Sequence, residues 1–432
     1  MTNIDLNKIS LWVRLLPVIF FIGYLNLSVF LFAFGPWDWP VKDGTKLYVF
    51  LAFAHAALFL GYLSAAFSKP GEYYGRFKVQ HIVILSLVVN LLLLLPTSAF
   101  RTGSAIPNIV AGLANPGEVY RTTNEIRGQG GGIAEYVRIV LSPIIALLIP
   151  LTFYYWGNLK PFVRYLSVFS MLFFLAIYVA IGTNKAIADF VLIVPCLVLA
   201  RHLSGRLKLG RRRIIIASVL AMFAFGLFFS FFSAGQISRA GSMEGAASLP
   251  ILDTKANLDN FIVRPLPDEL KVPAVVLISY LTQGYYGLYL SLEKPFVPMF
   301  GVGNSMFLYF NASKITGMKE IENMPYPIRI GEDGWDGYGQ WSTIYPWIAS
   351  DVSFPGTILV VFLIGYFFAL SWIDTLKGSN PYAVAVFAQF LIMLFYFSAN
   401  NQVMGSGEAL FGFYGLLLMW LYTRRKYVWR TR

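Results

Sequence analysis

Blocks of about 20 mostly apolar residues recur along this chain, the length a helix needs to cross a hydrocarbon layer roughly 30 Å thick. They fall at 11–35, 46–67, 80–100, 137–157, 162–182, 185–201, 213–234, 354–373, 381–400 and 406–423. Such spacing leaves little room for any architecture but a bundle, because in lipid a helix satisfies its own backbone hydrogen bonds. Composition agrees: 57% of residues are hydrophobic and 13% charged, against roughly a quarter charged in soluble domains. The expected fold class is all-α, a polytopic helical membrane protein. It has about ten spans, or eleven and more if a re-entrant or interfacial helix is counted. The first run is too long for a cleaved signal peptide. The single cysteine, Cys196, lies inside an apolar run, which excludes an internal disulfide framework.

Alternate numbering of the gaps puts most basic residues on one side. That side holds Lys69, Arg76, Lys78, Lys160, Arg164, the run Arg201–Arg213, Lys377 and the Arg424–Arg432 tail. By the positive-inside rule both termini are cytoplasmic. The net charge of +12 is therefore mainly a topology signal and gives no nucleic-acid footprint. Two long gaps face outward, 101–136 and 235–353. The chain divides into N-terminal membrane helices over 1–234 with the outer loop 101–136, a large outer loop over 235–353, and C-terminal membrane helices with a basic tail over 354–432. The apolar stretch from Val272 to Leu292 inside the large loop is expected to be an interfacial or re-entrant helix, since a further crossing would invert the tail.

Polar residues next to apolar runs carry the chemistry. In "GTNKAIADF", Lys185 and Asp189 stand one helical turn apart on one face. Charges near a bilayer are costly and face a cavity or one another. The pair reads as an ion pair locking two helices, as a cation at a cavity rim ready for an anionic ligand, or as both. Outer-loop cations add Arg101, Arg121, Arg127, Arg239, Arg264 and Arg329. Arginine suits phosphate because its planar fork holds two oxygens. Arg121 and Arg127 precede the glycine run Gly128–Gly132, where backbone amides could also approach phosphate. The stretch "EDGWDGYGQWSTIYPW" interleaves Trp335, Tyr338 and Trp341 with Gly and Asp, a pattern that suits sugar rings; nearer the next span, aromatics read as an interfacial belt.

His55, His81 and His202 are the only histidines, one mid-span and two at cytoplasmic ends, so a three-histidine zinc site or an outward Ser–His–Asp triad is not expected. No metal or other cofactor is called for, and no Walker-type phosphate loop occurs. An outward general base would be a carboxylate, a tyrosine or a lysine. The carboxylates in question are Glu118, Glu125, Asp189, Asp333, Asp336, Asp351 and Glu408.

The order of these features resembles the Wzy-type O-antigen or oligosaccharide repeat-unit polymerases of bacterial inner membranes. The likeness runs through "YRTTNEIRG", "GTNKAIADF", "YLTQGYYGLYLSL" and "FGVGNSMFLY", and closes on "YPWIASDVSFPGTILVVFLIGY", over roughly residues 100–400. Ser353 stands where that family more often has Gly. Arg121 to Gly132 fits the Arg-x10-Gly spacing described for some members, whereas Arg239, Arg264 and Arg329 do not repeat it. The resemblance implies a GT-C-like fold and glycosyl transfer at the periplasmic face, with a growing glycan on undecaprenyl pyrophosphate as donor and a lipid-linked repeat unit as acceptor. It implies Lys185, Arg121, Arg127, Arg239 and Arg329 as pyrophosphate ligands, and Asp189 and Asp351 as candidate catalytic bases. Trp335, Tyr338 and Trp341 would line the glycan path, and a Wzz-type chain-length regulator would be the partner. An O-antigen ligase with the same donor shares the layout, although ligases commonly carry an outer-loop histidine. A lipid-linked oligosaccharide flippase has no use for so large an outer loop.

Overall fold

The computed structural model describes residues 10–127 and 132–424, whose regular structure is helical apart from one short hairpin. Three long helices open the chain: α1 (Leu11–Phe34), α2 (Thr45–Ala66) and α3 (Val79–Thr102). The short α4 (Ile109–Ala114) and α5 (Pro116–Arg127) follow. α6 (Ile133–Ile145) and α7 (Leu148–Tyr154) form one apolar crossing with a break between them. Next come α8 (Pro161–Ala180), α9 (Lys185–Leu203) and α10 (Arg211–Ala240). The large loop holds α11 (Met243–Ala246), a hairpin of β1 (Ser248–Leu249) and β2 (Thr254–Lys255), α12 (Asp268–Ser291), α13 (Met306–Thr316) and α14 (Tyr326–Arg329). α15 (Ile344–Lys377), α16 (Pro381–Tyr396) and α17 (Gly407–Arg424) complete the bundle.

Among the described residues eight helical segments are long and apolar enough to cross a membrane, which marks a membrane-embedded helical protein. They are α1, α2, α3, the α6–α7 pair, α8, α9, α10 and α15. Of the two further spans expected at 381–400 and 406–423, the first is realised as the shorter, 16-residue α16 and the second as the 18-residue α17. α16 stops at Tyr396, just before the polar run "SANNQ". α17 carries Glu408 in its first turn and Arg424 in its last. α16 is nevertheless the centre of the bundle: Ala383–Ala388 and Phe390–Leu394 are all buried, so it is covered on every side. α10 is its opposite. From Ile214 through Leu227 its large apolar side chains are exposed all round, and only Phe232, Ser233 and Gly235 are buried.

Small residues set the closest crossing. α2 and α15 run parallel, with Phe50 against Tyr345 and Phe354 at one end and Tyr62 against Phe368 further along. A β-carbon on Gly61 would strike the Phe362 carbonyl, and one on Gly365 would strike the Leu58 carbonyl. Glycine at both positions lets the backbones approach, as in helix pairs packed without a hydrophobic drive.

α12 lies across one end of the bundle. Near its start the Trp37 indole N–H donates to the Val275 carbonyl at 2.8 Å, just past the end of α1. Just beyond its end Glu293 pairs with Lys46 at 2.8 Å, in the first turn of α2. Its two ends therefore sit at the same end of the bundle, together with α4, α5, α11, α13 and α14. We call this the loop-rich end. The opposite end is fastened by the buried Asp374 carboxylate, which accepts from the Gly71 N–H at 2.6 Å and from the Trp420 indole and the Arg424 guanidinium at 2.8 Å each.

α15 is bent where Ser353 adopts φ 62°, ψ 170°. That region is essentially reserved for glycine, and a side chain there costs about 1–3 kcal/mol. Pro355 contributes, since it lacks the backbone N–H that would continue the helical ladder to the carbonyl four residues back, at Asp351. Ser353→Gly is therefore expected to stabilise the chain by about 1 kcal/mol, the relieved strain less the greater freedom of unfolded glycine. Thermal melting in detergent would read this as a raised midpoint; a lowered one would mean that the Ser353 side chain contributes more than its backbone strain costs.

Candidate functional site

Charged side chains from five helices meet at the loop-rich end. Arg101 is in the last turn of α3, where a cation complements the helix dipole, and Glu408 is in the first turn of α17, where an anion does. Arg101 is 5% exposed and Arg138 on α6 only 2%. Arg101 donates to the Tyr178 hydroxyl of α8 at 2.8 Å, to Glu408 at 3.3 Å and to Glu135 at 3.4 Å. Arg138 donates through Nε to Glu408 at 3.2 Å, through Nη1 to the Thr97 hydroxyl at 3.2 Å and through Nη2 to the second Glu408 oxygen. The Phe174 and Tyr178 rings flank the two guanidinium groups. Glu408 thus bridges two arginines that burial would otherwise leave uncompensated.

Lys185 and Asp189 of α9 stand beside this group. Their ion pair measures 2.6 Å, and Lys185 is within electrostatic reach of Glu408 and Tyr178. Local rules disfavour this order: a lysine in the first turn opposes the helix dipole, and cation-before-anion is the weaker direction for a pair one turn apart. Where local preference is overridden, a functional demand is the usual cause. The Asp189 side chain is 16% exposed and only its Oδ2 is bonded to Lys185. Its Oδ1 is buried, with only the Tyr396 side chain of α16 at hand as a partner.

The turn before α9 is fixed from α10. Gly182 takes φ +62°, and its carbonyl accepts from Arg239 Nη2 at 2.5 Å. The Arg239 guanidinium stacks on Tyr120 of α5, 3.7 Å from the ring centroid. The Gly117 N–H donates to Ser238 at 3.2 Å, tying α5 to the same stretch of α10. Among the described residues Arg239 is in no ion pair, Tyr280 of α12 lies beside its guanidinium, and its Nε is buried without a hydrogen bond.

Of the residues expected to act together, Lys185 and Asp189 are paired and Arg239 holds the Gly182 turn that leads into them, while the others lie apart. Arg121 is exposed on α5. The Arg127 side chain and the glycines Gly128–Gly131 lie outside the described residues. Arg329 sits in α14, donating to the Pro295 carbonyl at 2.7 Å and covering the Tyr326 ring, away from the cluster. Asp351 accepts backbone N–H bonds from Gly301, Gly303 and Asn304 at 2.8–2.9 Å, so its oxygens are engaged in holding a loop. Trp335 is fully buried, its indole bonded to the Trp341 carbonyl at 3.1 Å and packed on Trp39 and Tyr286, so it offers no face to a glycan. Trp341 packs edge-on against Tyr280, 4.5 Å between centroids. Tyr338 alone of the three is open, 51% exposed and stacked on Phe310. Among the other carboxylates considered, Asp333 is taken up by Lys294 at 3.0 Å; that contact raises the lysine pKa.

Arg138, Glu135 and Tyr178 were not among the residues singled out from the sequence, and Arg101 and Glu408 were named only as one loop cation and one carboxylate among several. The usable signal was a charge at the outer edge of an apolar run, at Arg138 in 137–157 and Glu408 in 406–423. No metal-ligand cluster of His, Cys, Asp and Glu occurs among the described residues. Comparison of the chain with protein-family models, curated proteins and solved structures returns no match.

Proposed function

We propose that the chain is a polysaccharide polymerase, a metal-independent glycosyltransferase acting at the periplasmic face of the bacterial inner membrane with both termini cytoplasmic. The carrying observation is Asp189, with one oxygen locked to Lys185 and the other buried beside the Tyr396 side chain. This arrangement supports the following transfer. The hydroxyl oxygen of a lipid-linked acceptor attacks the anomeric carbon of the donor glycan, and the hydroxyl proton passes to Asp189 Oδ1. The bond from that carbon to the phosphate oxygen breaks, and the undecaprenyl pyrophosphate leaves with the electron pair. Lys185 and Arg239 meet the developing negative charge, the kind of preorganised stabilisation that dominates many enzyme rates. Arg101 and Arg138, neutralised by Glu135 and Glu408, hold α3, α6 and α17 together around the pair without contacting the substrate. Tyr338 remains as a glycan contact. A Wzz-type regulator would set chain length.

The test uses purified protein in nanodiscs with undecaprenyl-pyrophosphate repeat units, the products being resolved on a gel. Wild type is expected to give a ladder, and a folded Lys185→Ala variant none. A ladder that survives the substitution would reduce Lys185 and Asp189 to a helix-locking pair. No ladder from wild type on matched substrate would favour the ligase, if glycan then passes to a lipid A core acceptor, or the flippase, if lipid-linked glycan crosses the bilayer.

A further inference from the structure

A second site lies on the other side of α17, away from the charged cluster. Between α15, α16 and α17 runs a cavity of about 260 Å³, walled by Ile348, Val352, Leu363, Phe367, Phe413 and Leu417. It opens sideways, because Val352, Leu363 and Tyr414 on its wall are each 40–43% exposed on the outside of the bundle. The volume is below that of a typical small-molecule pocket, roughly 300–1,000 Å³, and suits a length of hydrocarbon chain.

The upper end of the cavity is polar and of one kind. It is formed by Asp351 and Asn304, with Tyr414 close enough to feel the Asp351 charge. No lysine or arginine lines it. Asn304 is held from both sides, its N–H donated to Asp351 at 2.9 Å and its carbonyl accepting from Asn401 at 2.6 Å. Its side-chain Oδ1 is left buried without a partner. A carboxylate with an idle acceptor beside it, and no cation, attracts a positively charged donor and repels an anionic head.

Backbone strain concentrates at this mouth. Among the described residues only Asp253, Phe300 and Ser353 are non-glycine residues at positive φ, and two of these flank Asp351. Ser353 makes the break that separates the two halves of α15 along the cavity wall. Phe300, at φ 51° and 89% exposed, is held by the clamp of Asp351 on the next residues. A bulky residue in that region, with its ring in the open, carries a cost that a functional site commonly absorbs.

We infer that this groove seats one hydrocarbon chain of a zwitterionic, amine-bearing membrane lipid, with its ammonium at Asn304 Oδ1 and the Asp351 carboxylate. The site is distinct from the pyrophosphate site and does not depend on the proposed polymerase activity. Glu408 and Tyr414 leave α17 on different faces, so both sites can be filled together.

The experiment is native mass spectrometry of the delipidated full chain, titrated with dioleoyl phosphatidylethanolamine or with dioleoyl phosphatidylglycerol, which share their acyl chains. Wild type is expected to retain one phosphatidylethanolamine about tenfold more tightly than phosphatidylglycerol. Leu363→Trp, which fills the groove, should abolish that one retention. Asn304→Leu, which removes the idle acceptor and spares the groove, should erase the preference between head groups. Melting temperatures report whether each variant is folded, and the two variants touch different parts of the site, so one suffices if the other is lost. Equal retention of both lipids by wild type, a preference for phosphatidylglycerol, or undiminished retention by folded Leu363→Trp would each overturn the assignment.

Discussion

Asp189→Asn is expected to lower polymerisation by about 10²–10⁴-fold, the range a positioned general base contributes, with little change in melting temperature. The asparagine keeps the shape and can still accept from Lys185, so the helix packing survives. What disappears is an oxygen able to take a proton. Asp189→Glu moves that oxygen by one methylene and should recover part of the rate. Asp351→Asn supplies the contrast. The Asp351 oxygens already accept from Gly301, Gly303 and Asn304, so its replacement should lower the melting temperature more than the rate. Rates in initial-velocity assays and midpoints in thermal scans separate the two residues. If Asp351→Asn stopped the reaction in a folded protein and Asp189→Asn did not, the base would be Asp351.

The largest stability effect should come from Glu408→Ala. Removing one partner of a buried charge pair typically costs about 3–5 kcal/mol, because the remaining charge is left uncompensated. Here Arg138 and Arg101, both almost fully buried, lose the carboxylate that lies between them. Glu408 also ties α17 to α3 and α6, so thermal scans in detergent should show a marked fall in midpoint and a loosened α17. Replacing Arg138 by methionine in the same protein should recover part of the loss, since an apolar residue of similar length removes the orphaned charge. A single Glu408→Ala variant as stable as wild type would mean that Glu135 and Thr97 are sufficient partners for the two arginines.

The bundle was legible in the sequence because its signal is local: each crossing is a run of apolar residues, and length alone identifies it. The short α16 was expected from its apolar content, whereas its place at the centre was not, since burial on every side depends on neighbours from distant parts of the chain. The Lys185–Asp189 pair was legible for the same local reason, one helical turn. The Arg101–Glu408–Arg138 bridge joins residues up to 307 positions apart, and no spacing within a single helix announces it. The aromatic stretch misled at Trp335. A pattern of Trp, Gly and Asp describes an exposed sugar platform and the turn-rich core of a loop equally well, and only packing on Trp39 and Tyr286 separates them.

The bare flank of α10 has a consequence for how a ligand arrives. That helix touches the bundle mainly along its C-terminal third, where Phe232 packs on Tyr280 of α12 and Arg239 on Tyr120 of α5, and its first half is open on every side. A lipid-linked donor of the kind proposed above would meet this flank from within the bilayer and reach the Arg239 end only where α10 rejoins the bundle. Its search then takes place in a plane instead of a volume. Confinement of this kind raises effective concentration, as tethering does, so even weak individual contacts at the turn would be filled at low membrane abundance of the ligand.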